Sequence, residues 1–298
     1  MANTKALVKR RKSVQNTRKI TSTMEKLSTA RLSRAQNAAV SARPYAKKLQ
    51  QVIGDLAAAS ADIRHPLLEE RHPARKAVLI LLTSDRGLCG SFNANIIRKA
   101  RDIYAELKER GTEVEFVILG KKAVTAFRYL GITAAKAYTG VSDKPSYARA
   151  EEIAHGLIER YGRGEIDAVY LVYSSFISMV TQRSRSEKIL PLSALKQAAA
   201  VAVGQPPLPA RGEGMGYLFH PDPKTILIEV LPLVVKMSIF TAMLENTAGE
   251  HAARRLAMKN ATDAADDMIK LLTRAYNRAR QSKITQEIAE IVGGAEAL

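Results

Sequence analysis

The sequence predicts an α/β protein flanked by two long terminal helices that pair antiparallel, and three observations carry that prediction. Apolar residues recur at steps of three and four over most of residues 1–60. The same rhythm returns over residues 222–298. Between them, short continuous apolar runs alternate with amphipathic stretches at the spacing of strand–helix units. The boundaries that follow are 1–60 for an N-terminal coiled-coil helix and 61–75 for a connector. Residues 76–195 form the α/β domain, 196–221 a loop and 222–298 a C-terminal coiled-coil helix.

The first helix is expected over about Lys5 to Ala59. Its predicted seam is Ile20, Met24, Leu27, Arg31, Ala35, Ala38, Ala42, Tyr45, Leu49, Val52 and Leu56. A near-heptad seam of this kind is what one helix presents to another in a coiled coil, with one extra four-residue step at Arg31 acting as a stutter. Pro44 removes a backbone hydrogen bond and predicts a kink. At 1.5 Å per residue such a helix runs roughly 80 Å, longer than a small domain is wide.

In the middle, Ala77–Thr83 and Glu113–Gly120 read as buried parallel strands, Asp167–Ser174 as a third and Met179–Leu192 as a more polar fourth. Helices are expected over Ala94–Arg110, over Lys121–Leu130, and from a cap at Ser146 to about Tyr161. The Gly- and Pro-bearing stretch 196–216 reads as a mobile loop. Asp222-Pro223 then supplies an N-cap and a first-turn proline for the second long helix, which Pro232 should kink. Its seam is Ala248, Ala252, Arg255, Met258, Thr262, Ala265, Ile269, Leu272, Tyr276 and Ala279, small enough for close approach, and Gly293-Gly294 supplies its stop.

Charge narrows the function class. The net charge is +17, and residues 1–60 alone hold 13 basic side chains against two acids, Glu25 and Asp55. An acidic protein, nucleic acid or an anionic membrane could each answer that field. No reader module or stacking aromatics accompany it, which argues against nucleic acid. The single cysteine, Cys89, excludes a disulfide scaffold and a cysteine zinc site. No uninterrupted apolar run reaches the 18–20 residues of a membrane span, and the basic start has no secretory apolar core. These features point to a soluble protein of a reducing compartment.

Enzyme-like chemistry is sparse. Ser84–Asn93 is a Gly-bearing turn between strand and helix, where phosphates bind in nucleotide folds. It lacks both the dinucleotide fingerprint and the phosphate loop, so Gly87 and Gly90 read as turning residues. A nucleotide-binding α/β enzyme with helical arms, and a coiled-coil nucleic-acid binder, are the competing readings. Cys89 reads as inert, and His65, His72, His155, His220 and His251 are scattered, with the first two in an exposed connector. Asp263, Asp266 and Asp267 read as a solvated helix face. No catalytic, cofactor or metal residue is assigned.

Several motifs resemble one family. They are Ser13–Thr21 with Met24-Glu25, Arg43-Pro44-Tyr45-Ala46, Ser84–Gly90, Tyr217–Lys224 and, most specifically, Ala279–Ala295 (ARQSKITQEIAEIVGGA). Together they resemble the gamma subunit of F-type ATP synthase, the central rotary stalk, over essentially the whole chain. The resemblance implies a Rossmann-like central domain beside the antiparallel coiled coil. It also implies a non-catalytic rotor that couples ion flow through a membrane c ring to catalysis in a head of alpha and beta subunits (3:3:1 with gamma). The epsilon subunit would be a further partner at the foot.

Residue by residue, the resemblance implies that Arg280 and Gln281, with Thr285 beside them, meet a beta-subunit catch loop, and that Met24 faces the acidic beta lever. Tyr217, His220, Asp222 and Lys224 would lie at the foot near epsilon and the c ring. The expected place is peripheral, on the cytoplasmic face of a bacterial inner membrane, with no cofactor. The chain departs from the family pattern at Lys26, Ser28, Thr29, Leu32 and His220, the last replacing a usually acidic residue.

Overall fold

A computed structural model describes residues 4–59, 65–192 and 222–296. The predicted loop over 196–216, with Tyr217 and His220, lies outside the described residues. In order, the elements are α1 (Thr4–Ala59), a single 3-10 turn (Pro66–Leu68), β1 (Lys76–Leu82), α2 (Phe92–Glu109) and β2 (Glu113–Leu119). They continue with α3 (Lys121–Tyr129), β3 (Lys136–Tyr138), α4 (Tyr147–Gly162), β4 (Ala168–Phe176), β5 (Gln182–Leu190) and α5 (Pro223–Glu296). Pro44 and Pro232 lie inside α1 and α5 without ending them. The expected stop at Gly293-Gly294 does not occur: α5 runs on to Glu296, because a helical glycine costs only about 1 kcal/mol.

The chain forms two compact units, Met1–Ala30 with Arg254–Leu298, and Arg31–Ala253. The second contains the sheet, in the order β3-β2-β1-β4-β5. Strands β1 to β4 are parallel and β5 returns antiparallel to β4. In β1 the two-residue period sends Val78, Ile80 and Leu82 to one face and Ala77, Leu79 and Leu81 to the other. The latter meet Phe92, Ile96, Ala100 and Ile103 of α2, together with Ala123 and Phe127 of α3. The former meet Ile153, Ala154 and Leu157 of α4 and Leu227, Leu231, Val235 and Ile239 of α5. Continuous apolar strands are therefore covered by helices on both faces, the Rossmann-like arrangement expected.

The start of α5 explains a feature that the uninterrupted-run criterion passes over. By length and composition this helix is apolar enough to cross a membrane, yet 44% of that stretch is buried inside the protein. Its apolar residues serve as the sheet's cover.

Two local features were not foreseen. Strand β3 is three residues at the edge of the sheet, paired to Val117–Leu119, too short for any periodic signal. The stretch after His65 is no exposed connector, since Leu67 and Leu68 are buried in the core. Tyr161 Oη donates to Glu69 O at 2.7 Å, and Arg71 donates to the carbonyls of Tyr161 and Ile166 while lying 4.6 Å over the Tyr161 ring. Burial, with Asp167, Glu70 and Glu69 adding to it against Arg71, pushes the Tyr161 hydroxyl up to about 12.

The first unit is an antiparallel helix pair. Arg11 lies 5.4 Å over the Tyr276 ring, Arg18 pairs with Asp266, and Thr262 Oγ1 donates to Thr21 Oγ1 at 2.8 Å. Partner numbers fall as the first number rises, which fixes the direction. The α5 side of the seam is the one expected: Met258, Thr262, Ala265 and Leu272 are buried. On α1 the seam is displaced by one residue. Thr21 and Ser28 are buried at 8% and 3% exposure, whereas Ile20 and Leu27 are 61% and 48% exposed. Small hydroxyl residues can be buried here because the Thr21 hydroxyl is satisfied locally, donating to Arg18 O while accepting from Thr262. Two of the departures from the family pattern, Ser28 and Leu32, are thus buried seam residues.

One backbone position tests this architecture. Gly120, between β2 and α3, has φ +106°, and an added Cβ would sit 2.2 Å from Thr83 O. Gly120→Ala should destabilise the protein by about 3 kcal/mol or more. Equilibrium chemical denaturation checks this, with a loss under about 1 kcal/mol contradicting the close approach.

Candidate functional site

In open parallel sheets the ligand crevice lies at the carboxyl ends of the strands, where the chain order switches direction. Here the switch lies between β1 and β4, since the chain leaves β1 toward β2 and β3 and returns to β4 on the other side. That crevice is already filled by α5. Asn246 Oδ1 accepts the Ser174 N–H at 3.1 Å. A Cβ on Gly249 would stand 3.3 Å from both Phe92 Cε2 and Ser174 Oγ. The remaining cavity, lined by Thr83, Ser142, Met243, Asn246 and Thr247 among others, is about 10 Å3. That is room for a water at most, against the hundreds of Å3 a nucleotide needs.

The N-terminus of α3 is occupied by a side chain as well. Asp85, in the Gly-bearing turn, accepts the Lys121 N–H at the start of α3 at 3.0 Å and the Ser142 N–H at 3.1 Å. Burial alone would raise the Asp85 pKa, but hydrogen bonds from the Gly140, Ser142 and Lys121 amides outweigh it and hold the carboxyl below its ordinary value. The protein's own carboxylate sits where an anionic ligand would take the helix N-terminus. In the same turn Gly90 has φ +58°, the turning role expected of it. Cys89 is buried and accepts from Asn93 Nδ2 at 3.1 Å.

The residues expected to meet partners fall into three groups. Arg280, Gln281 and Thr285 are all exposed on the last turns of α5. Gln281 and Thr285 share a helix face, and Thr285 Oγ1 donates back to Gln281 O at 3.0 Å. Around them Ile284, Ile288, Ile291 and Val292 are all about half exposed or more. Met24 is half-buried beside the seam, and Lys26 is exposed. At the other end of α5, Asp222 caps the helix, accepting the Thr225 N–H at 3.0 Å and the Thr225 hydroxyl at 2.6 Å. Lys224 lies in the first turn of the same helix.

Sequence reasoning missed one cluster. Asp143, in the loop between β3 and α4, brings a carboxylate oxygen within 4.8 Å of donor atoms from the buried Glu250 and His251 of α5. Those atoms have the character to hold a cation. A guanidinium already serves Asp143, however: Arg31 Nη1 donates to its Oδ2 at 2.8 Å. Because 107 positions separate Asp143 from Glu250, no local pattern joins them. The adjacent signal was that Glu250 and His251 fall between Ala248 and Ala252 of a buried seam.

The ATP synthase family model matches residues 3–298. The ATP synthase gamma chain of Pelotomaculum thermopropionicum is 43% identical over 300 residues, covering 100% of both chains. That of Leptospira biflexa is 41% identical over 298 residues, again covering 100% of both. The chain belongs to the ATP synthase gamma-chain family. Solved structures agree in fold. The rotor of Euglena gracilis mitochondrial ATP synthase superposes with TM-score 0.61 at 17% identity, covering 95% of this chain and 100% of that one. The central stalk and c-ring structure from Tetrahymena thermophila gives TM-score 0.60 at 19% identity over 81% and 99%.

Membership in the gamma-chain family makes this protein a central-stalk component of the ATP synthase, a membrane-associated enzyme complex. It also gives the filled crevice its meaning. In this gamma chain the nucleotide-type fold serves as a mount for α5.

The Asp85 bridge gives a pH-dependent expectation. A carboxyl whose folded pKa is depressed contributes stability above its unfolded pKa and loses it as pH falls through the folded one. Asp85→Asn should therefore cost about 1–2 kcal/mol at pH 7. The difference from the unaltered chain should shrink as pH drops below the ordinary value of 3.8. Urea denaturation at pH 7 and at acidic pH reads this directly, and a pH-independent difference would contradict the assignment.

Proposed function

We propose that this chain is the non-catalytic rotor of a bacterial F-type ATP synthase, working at the cytoplasmic face of the inner membrane. Its α5 end turns inside a head of three alpha and three beta subunits. Its foot, near Tyr217, His220, Asp222 and Lys224, meets epsilon and the c ring. The observation that carries this reading is the end of α5, where Arg280–Val292 is exposed throughout. A helix with half-exposed Ile284, Ile288 and Ile291 at steps of four and three is built to be enclosed by other chains.

On that surface Arg280 and Gln281, with Thr285, supply a directional contact. A guanidinium fork to a beta-subunit carboxylate can break and re-form as the shaft turns, because it is held by charge and geometry rather than by packing. Met24 and the exposed cations of the first helix face the acidic beta lever. Rotation then presents different faces of an asymmetric shaft to each beta subunit. Each orientation favours a different beta conformation, which is how mechanical work becomes a change in nucleotide affinity.

The direct test is reconstitution of the chain with its cognate alpha and beta subunits. A stable 3:3:1 complex with ATPase activity is expected, and failure to form one removes the reading. Arg280→Ala should lower ATP synthesis by the assembled complex about tenfold, which corresponds to about 1.4 kcal/mol of lost contact. The stability of the isolated chain should move by less than about 0.5 kcal/mol, since the side chain is exposed. Unchanged synthesis rates would refute the assignment of Arg280.

A further inference from the structure

Within the unit Arg31–Ala253, the loop between β3 and α4 ties three parts of the protein together through polar atoms. Ser142 Oγ accepts the Asp85 N–H at 3.1 Å, binding the loop to the turn after β1. The Ser142 carbonyl accepts Thr247 Oγ1 of α5 at 2.8 Å. Next to it, Asp143 Oδ2 accepts Arg31 Nη1 of α1 at 2.8 Å, with Arg86 Nη2 at 3.9 Å. Glu250 and His251 of α5 face the same carboxylate and are 0% and 2% exposed. Asp143 Oδ1 is buried without a hydrogen-bond partner among the described residues.

The surrounding contacts are of another kind. Leu32, Ala35, Ala248, Ala252 and Phe176 make a small apolar cluster. Burial of such surfaces is non-directional. It resists separation of the elements, but alanine against alanine offers little resistance to one helix turning or sliding on another. An ion pair set off the helix axis does resist it, because displacement leaves two partly buried charges mispaired. Buried polar residues at helix seams fix register in the same way.

We propose that Asp143, paired with Arg31 and facing Glu250 and His251, is a positioning residue for energy coupling. It locks the α1 and α5 segments of this unit to the α/β domain against twist. This rests on the rotor reading above: torque applied to the α/β domain must reach the helices without slipping at their junction. An apolar junction of equal stability would hold the parts together and still yield under torque.

The test uses membrane vesicles carrying the complete ATP synthase, with ATP hydrolysis and gradient-driven ATP synthesis measured on equal amounts of assembled complex. Asp143→Asn should leave hydrolysis within about twofold and lower synthesis at least fivefold. Asp143→Glu should restore part of the loss, and the charge swap Arg31→Asp with Asp143→Arg should recover more synthesis than either single change. If hydrolysis and synthesis fall together, or the swap does no better than the singles, the positioning role is overturned. If Asp143→Asn yields too little complex, Arg31→Lys carries the same expectation in smaller measure, and equal loss of both rates there also overturns it. Failure of the unaltered chain to assemble would instead count against the rotor reading.

Discussion

The structure depends on one docking: residues 243–250 of α5 laid across the carboxyl ends of β1 and β4. The filled crevice of the α/β domain follows from it. Gly249 lets the helix backbone approach Phe92 and Ser174 at a distance that a side chain would crowd. Asn246 takes up a strand N–H that would otherwise be buried unpaired. The Thr247 hydroxyl, free to donate to Met243 O or to Ser142 O, anchors the β3–α4 loop over the same spot. A fold whose usual opening is a crevice has been closed with its own helix.

That docking also explains the uneven character of α5. Its first turns must cover a sheet face, so they carry Leu227, Leu231, Val235 and Ile239 and pass a compositional test for membrane spanning. Its middle must approach other backbone closely, so Ala248, Gly249 and Ala252 replace bulk with proximity. Its last turns expose charged and apolar side chains together. One helix thus carries three compositions along its length. Each matches a different solvent: protein core, close helix packing, and the surface offered to partners.

How much of this was legible depended on whether a residue's role left a local trace. The parallel strands were legible because burial on both faces gives unbroken apolar runs such as Ala77–Leu82. The α5 seam was legible because alanine at helical spacing has few other meanings. The α1 seam was misplaced by one residue because apolarity was the guide there. Thr21, with its hydroxyl hydrogen-bonded, and Ser28 are buried, while Ile20 and Leu27 point outward. Strand β3 left no trace, since three residues at an edge need only backbone pairing. The Arg31–Asp143 pair was invisible for a different reason: a contact across 112 positions has no periodicity to detect.

The outward-facing Ile20 and Leu27 carry a consequence for the charge of the N-terminal segment. Basic residues dominate 1–60, yet α1 also exposes large apolar side chains at Ile20 and Leu27. A surface meant only to attract a polyanion would gain nothing from exposed isoleucine and leucine, which add no salt-dependent term. A surface enclosed by acidic protein would use both: charge to guide the approach and apolar area to hold contact once water is displaced. The mixture on α1 therefore distinguishes among the partners that a +17 chain could serve. It favours a protein sleeve, the same kind of neighbour that the exposed Ile284 and Ile288 call for at the far end of α5.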